Sequence, residues 1–163
     1  MIHWRSVEMF LMETRHLVSN IQGYIMTQAL WLPWKRLQKN IDAAETLADM
    51  RNAHVRYISV AYNRCFQSKE TKKVRAYVER IFERILAFKT RMSAGIANAD
   101  AELGLDDRTF EDLRDIIRKT RGDCRLLFRV MRALARKGFA PMLDLVTRLD
   151  YNGYFSGALS ASK

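Results

Sequence analysis

The sequence predicts an all-α fold, a bundle of five to six helices of which two are long. Three observations carry that expectation. Apolar residues recur with three-four spacing over long stretches, the period of one helix face. The 163 residues include only 7 Gly and 2 Pro, so long helices form easily and sheets full of tight turns do not. The chain is 48% hydrophobic and 28% charged, apolar enough to bury a core and too apolar to stay disordered. A single domain is expected over residues 1–155, with a frayed tail at 156–163.

In the first helix, expected from His3 to Leu32, the stripe is Val7, Phe10, Leu11, Leu17, Val18, Ile21 and Ile25, with Thr14 and Gln28 keeping the phase. Pro33 should stop or kink it, because proline lacks a backbone donor and disfavours helical geometry in the residue before it. A short helix from Trp34 to Ile41 follows. Thr46-Leu47-Ala48-Asp49 resembles a capping box and opens a third helix with the stripe Leu47, Met50, His54, Tyr57, Ile58, Ala61 and Cys65.

The fourth helix, Glu70 to Met92, sets Val74, Tyr77, Val78, Ile81, Ile85 and Phe88 on one side and mostly charged residues on the other. Ser93 to Asp106, with Gly95, Asn98, Asp100 and Gly104, reads as the one long loop. The fifth helix is capped by Asp106 or Asp107, carries Phe110, Leu113, Ile116, Ile117, Cys124, Leu127, Phe128, Met131 and Leu134, and ends at Lys137-Gly138. Pro141 suits the first turn of a last helix bearing Met142, Leu145, Val146 and Leu149, and Asn152-Gly153 turns the chain out of it.

Nothing in the sequence assembles an active centre. His3, His16 and His54 lack the spacing of metal or catalytic pairs, and no glycine-rich phosphate loop is present. His54 reads as a core or interface residue, the acidic pairs at the start of the fifth helix as capping groups. Cys65 and Cys124 read as reduced core thiols. No cofactor or enzymatic activity is expected. The N-terminus does not read as a signal peptide and no apolar run is long enough to span a bilayer, so no membrane partner is expected.

The formal net charge of +10 suits an acidic partner. Lys72, Lys73, Arg75, Arg80 and Arg84 in the fourth helix, and Arg118 to Lys137 in the fifth, are interspersed with acids and come without a recognition-helix or zinc-finger pattern. A solvated face or an acidic protein partner therefore ranks above nucleic acid, which remains the alternative reading for a helical adaptor. Trp31 and Trp34, flanking Pro33, either lock a corner of the bundle or present an anchor, and the corner is preferred.

Several phrases, in order, resemble one family. They are Arg15-His16-Leu17-Val18-Ser19-Asn20-Ile21-Gln22-Gly23-Tyr24-Ile25 followed by Trp34, then His54-Val55-Arg56-Tyr57-Ile58 with Arg64-Cys65-Phe66, and finally Leu126-Leu127-Phe128 with Arg148-Leu149-Asp150-Tyr151-Asn152-Gly153-Tyr154-Phe155. Together they resemble the C-terminal domain of the γ-tubulin complex components, also called spindle pole body components, over roughly Trp4 to Phe155. The wording around Ile21 to Gln28 and Arg136 to Pro141 is most similar to the fifth and sixth paralogues.

The resemblance implies a helical γ-tubulin-binding scaffold supporting microtubule nucleation, with γ-tubulin and other γ-tubulin complex components as partners. The implied location is the cytoplasm and cytoskeleton, at microtubule organising centres or spindle poles. The family's lateral-association half has no counterpart in these residues, so ring assembly by this chain alone is not implied. The motif residues Tyr24, Trp34, His54, Tyr57, Arg148, Leu149, Asp150, Tyr151 and Asn152 are expected mainly to serve the fold. Surface candidates for the partner are Trp4, Arg5, Glu8 and Arg15 on the first helix and Arg125, Arg129 and Arg132 on the fifth.

Overall fold

A computed structural model describes residues 2–98, 105–150 and 153. Six α-helices are found, α1 (Ile2–Tyr24), α2 (Leu32–Asp42), α3 (Leu47–Arg64), α4 (Lys72–Ala97), α5 (Asp107–Arg136) and α6 (Ala140–Leu149), with a π-helical turn Ile25–Trp31 joining α1 to α2. Because that turn is itself helical, the described residues form five rods and include no strand. Both the bundle and its two long helices match the expectation, with α4 longer than predicted. The expected tail at 156–163 lies outside the described residues.

The long antiparallel pair α4 and α5 forms the spine, with α6 folded back on α5 and α1 laid across α6 and α5. Two cores result. One gathers Leu17, Ile21, Tyr24, Val74, Ile81, Leu127, Phe128, Met131, Met142, Leu145 and Leu149. The other gathers Val7, Phe10, Phe88, Leu105, Leu113 and Ile117, with the Phe10 and Phe88 rings 4.7 Å apart. Each fully buried side chain of this size contributes about 1.5–3 kcal/mol of transfer free energy. The α4, α5 and α6 stripes face the cores, with Tyr77, Ile85, Phe110, Ile116, Cys124 and Leu134 half-buried and the other predicted members buried. In α1, Leu11 is 51% exposed and Val18 is also exposed, whereas Tyr24 is fully buried. The core-facing line of α1 runs Val7, Phe10, Thr14, Leu17, Ile21, Tyr24, and Leu11 and Val18 fall beside it.

Two departures concern glycine and proline. Gly95 lies within α4 rather than in a loop, and a Cβ there would sit 2.7 Å from Leu105 Cδ2 and 2.7 Å from Thr109 Cγ2. The glycine lets the end of α4 approach the start of α5. Pro33 does not stop the helix. It occupies the first turn of α2, and Leu32 before it keeps helical angles (φ −64°, ψ −44°). The π turn accommodates the ring: its bonding is shifted by one residue, so that Leu32 N–H donates to the Thr27 carbonyl. In that register residue 33 would bond the Gln28 carbonyl, but proline has no N–H. Arg64 takes its place, Nη1 donating to the Gln28 carbonyl at 2.7 Å.

That contact ties the end of α3 to the π turn. Otherwise α2 and α3 form a hairpin packed mainly on each other and on the π turn. The predicted α3 stripe is therefore not a core stripe. Leu47 is 83% exposed, Met50, His54 and Ile58 are exposed, Tyr57, Ala61 and Cys65 are half-buried, and only Ala53 is buried. The bundle supplies no wall to cover the rest. Past α3, Phe66 adopts φ +64° and stacks parallel on Tyr24 with centroids 5.5 Å apart. Left-handed backbone at a non-glycine residue costs about 1–2 kcal/mol, and burial of both rings offsets it.

The predicted caps form. Asp49 N–H donates to Thr46 Oγ1 (3.2 Å) while Thr46 N–H donates to Asp49 Oδ2 (3.1 Å). At α5 the Thr109 N–H donates to Asp106 Oδ1 at 2.6 Å. Of the two candidates, Asp106 is the N-cap and Asp107 the first helical residue. Gly138, with φ +94°, ends α5.

Three outcomes follow from this geometry. Arg64→Met should cost about 1–3 kcal/mol by denaturant unfolding, since it orphans a carbonyl. The cost should shrink in a Pro33→Ala background, where a backbone N–H is restored. Tyr24→Phe should leave stability unchanged or raise it by about 1 kcal/mol, because the buried Tyr24 hydroxyl lacks a hydrogen-bond partner among the described residues. The carboxyls of Asp49 and Asp106 are held below the usual carboxylate range by the side-chain and backbone hydrogen bonds of Thr46 and Thr109. A depressed folded pKa means that their stabilisation is present above about pH 4 and is lost as acid titrates them. The melting temperature should fall between pH 5 and pH 3, and Asp106→Asn should flatten part of that slope.

Candidate functional site

The predicted surface residues lie on two helices. Trp4, Glu8 and Arg15 share one arc of α1, spaced four and seven residues apart with Leu11 between, and all are exposed. Arg5 is exposed too but turned about 100° from that line. Trp4, 45% exposed, rests edge-to-face on Phe110 of α5 with centroids 5.7 Å apart. One edge of the ring is thus fixed while another faces solvent, an arrangement that costs a partner little entropy. Among the described residues Arg5, Glu8 and Arg15 form no ion pair.

On α5, Arg125 and Arg129 are exposed and Arg132 is half-buried. The bundle does not merge the α1 and α5 groups into one pocket. It holds the two helices together beside them: Arg121 Nε and Nη2 donate to Glu13 Oε2 and Oε1 at 2.8 and 3.1 Å. This two-pronged, partly buried clamp fixes the register of α1 on α5. Sequence reasoning missed it, since 108 residues separate the partners.

Asp123 was also missed. It is buried, its side chain 9% exposed, with Arg84 Nη1 at 2.8 Å and Arg80 Nε at 3.1 Å from Oδ2. Two arginines of the basic face on α4 are therefore committed to the α4–α5 contact. Arg75 is likewise engaged, with Glu79 and Gln67. The one signal available was the i, i+4 spacing of Arg80 and Arg84.

Among the family-motif residues, Tyr24 and Leu149 are buried in the first core. Burial drives the Tyr24 phenol well above its ordinary value. Trp34 packs edge-to-face on Tyr57, centroids 6.0 Å apart, and both Trp31 and Trp34 remain about half exposed, with Lys35 Nζ 3.8 Å over the Trp31 ring. The corner at Pro33 is locked by Arg64 rather than by the two indoles. His54 is exposed, which corrects its placing on a core stripe. Arg148 Nε bonds Asp144 Oδ2 at 2.8 Å, and Asp150 caps α6. Tyr151 and Asn152 lie outside the described residues.

Cys65 and Cys124 are both free and half-buried. Burial first, and the nearby Asp123 carboxylate second, push the Cys124 thiol up to about 12. Burial also raises Cys65. Both shifts disfavour the thiolate, the form that reacts as a nucleophile. Among the described residues no three His, Cys, Asp or Glu side chains gather as a metal site, and no helix is long and apolar enough to cross a membrane.

A fold of long helices with two outward faces, and motif residues placed in its core and at its corner, agrees with the comparison of the chain with known proteins. The family model described as gamma tubulin complex component C-terminal matches residues 1–155. The chain belongs to that family. Gamma-tubulin complex component 6 of Mus musculus is 25% identical over 156 residues, 94% of this chain and 9% of that protein. The same component of Homo sapiens is 24% identical over 159 residues, 96% of this chain and 9% of that protein. Gamma-tubulin complex component 3 of Arabidopsis thaliana is 31% identical over 78 residues, 48% of this chain and 9% of that protein. The chain thus spans about a tenth of the curated relatives it matches.

The buried ion pairs make a checkable claim. Asp123→Ala should destabilise the chain by about 3 kcal/mol, because it leaves two guanidinium groups without their carboxylate in a partly desolvated site. Asp123→Asn should cost less, and denaturant unfolding of the two variants measures the difference.

Proposed function

We propose that the chain is a γ-tubulin-binding scaffold element which contributes to microtubule nucleation at microtubule organising centres and takes part by binding rather than by catalysis. The observation that carries this reading is membership of the gamma-tubulin complex component C-terminal family over residues 1–155. Physical features support it. The Gln28–Arg64, Glu13–Arg121 and Asp123–Arg80/Arg84 contacts tie α3 to the π turn, α1 to α5 and α5 to α4, and make the bundle a stiff support. A scaffold needs that stiffness to hold a partner at a set angle.

The contact groups are Trp4, Arg5, Glu8 and Arg15 on α1 and Arg125, Arg129 and Arg132 on α5. With a net charge of +10, the chain favours an acidic protein surface, and electrostatic steering would speed the encounter. Other γ-tubulin complex components are proposed as neighbours in the assembly.

The test is a pull-down of purified γ-tubulin by the full chain. The native chain should retain γ-tubulin, Arg129→Glu should weaken retention roughly tenfold through charge reversal, and Trp4→Ala should weaken it through loss of an exposed aromatic anchor. A folded native chain that retains no γ-tubulin, yet binds duplex or single-stranded DNA with steep loss in salt, would replace this reading with the nucleic-acid one.

A further inference from the structure

The exposed side of α5 carries a pattern that the fold does not use. Arg125, Arg129, Arg132 and Arg136 follow one another at four, three and four residues, which at 100° per residue places them within an arc of about 60° and spreads them over about 16 Å. The row continues upstream at the same spacing through Arg121, Arg118 and Arg114. There it is bound internally: Arg121 to Glu13, Arg118 to Asp115.

Downstream the situation changes. From Cys124 to Leu143 the sequence has no Asp or Glu, and Asp144 beyond it is taken by Arg148. Among the described residues Arg125, Arg129, Arg132 and Arg136 form no ion pair. Every position of the row is arginine, whose planar fork suits carboxylates.

Beside the row runs a smooth apolar track of Gly122, Leu126 and Ala133, four and seven residues apart. Leu126 is 41% exposed and Ala133 is exposed. Gly122 is the informative member. A Cβ added there would meet nothing within 4 Å among the described residues, so their packing does not require glycine, and glycine inside a helix costs about 1 kcal/mol relative to alanine. Its bare backbone opens a notch where another helix can approach closely.

We infer that the C-terminal half of α5 is a docking seam for an acidic amphipathic helix of a partner protein, whose carboxylates pair with Arg125, Arg129, Arg132 and Arg136 while its apolar edge seats on Gly122, Leu126 and Ala133. The apolar track is what distinguishes such an occupant from a nucleic-acid strand, whose phosphates would use the arginines and leave Leu126 and the notch unmatched. Three of the four arginines are also the α5 contacts proposed for γ-tubulin, so the seam names the kind of surface that would seat there, and any acidic helix of this pattern satisfies it.

The test uses the full chain and a labelled helical peptide with glutamate at every third or fourth position beside a leucine and alanine edge, with a scrambled peptide of equal charge and a duplex oligonucleotide alongside. The patterned peptide should bind roughly tenfold tighter than the scrambled one. Arg129→Gln combined with Arg132→Gln should weaken it about tenfold or more. Gly122→Leu should weaken it comparably while the melting temperature stays level or rises, because leucine is the better helix former. Equal binding of the scrambled peptide, tighter binding of the oligonucleotide, or indifference to Gly122→Leu would each overturn the seam. A chain that binds the patterned peptide but not γ-tubulin overturns the γ-tubulin reading and leaves the seam standing. Retention of γ-tubulin without peptide binding does the reverse.

Discussion

Both cores of this bundle are built on one buried stripe along α5, and the rest of the architecture is arranged around that stripe. Leu113 and Ile117 close the core containing Phe10 and Phe88, while Leu127, Phe128 and Met131 close the one containing Tyr24 and Met142. A single helix of 30 residues therefore sets the positions of α1, α4 and α6 together. Stiffness comes from this sharing, since no neighbour can shift without disturbing close-packed side chains on α5. Polar contacts then fix registers that apolar packing leaves approximate. Asp123 does so against α4 and Arg121 against α1, each using charges partly withdrawn from water, where a wrong register would strand an ion.

The corner between α1 and α2 shows a different economy. A proline in mid-rod removes a donor and leaves a carbonyl unserved, and the chain answers with a π turn and a guanidinium from α3. The same contact anchors the α2–α3 hairpin to the bundle. Trp31, Trp34, Val55, Ile58 and Tyr62 stay substantially exposed there, so a hairpin that is thinly covered on its outer side hangs from a well-braced root. Tyr24 and Phe66 complete the root by stacking, and the left-handed backbone at Phe66 is held by their burial.

Charge is distributed in keeping with this division of labour. On α4, Arg80 and Arg84 turn to Asp123, while Arg75 and Arg91 pair with Glu79 and Asp112. On α5 the upstream arginines are bound to Asp115 and Glu13, and the downstream ones have no acid in the surrounding sequence. A basic total thus resolves into arginines that hold the bundle together and arginines that face outward. The outward group can meet an acidic surface without breaking an ion pair that holds the bundle together.

By itself the sequence determined the helical class, the cap at Thr46 and one at Asp106 or Asp107, the end of α5 at Gly138, and the core-facing stripes of α4, α5 and α6, because these rest on local periodicity and on backbone groups within a few residues. It also carried enough ordered phrases to reveal the family. Only the tertiary structure decided that Gly95 lies in a helix, that the rod passes Pro33, that the α3 stripe faces solvent and that Asp123 lies inside. Each of those depends on a partner far along the chain: Thr109 against Gly95, Arg64 at the Gln28 carbonyl, the missing wall beside α3, and Arg80 with Arg84 around Asp123. A residue's own sequence neighbourhood states what conformation it prefers, but burial and ion pairing are properties of what packs against it, and that is set when distant helices meet.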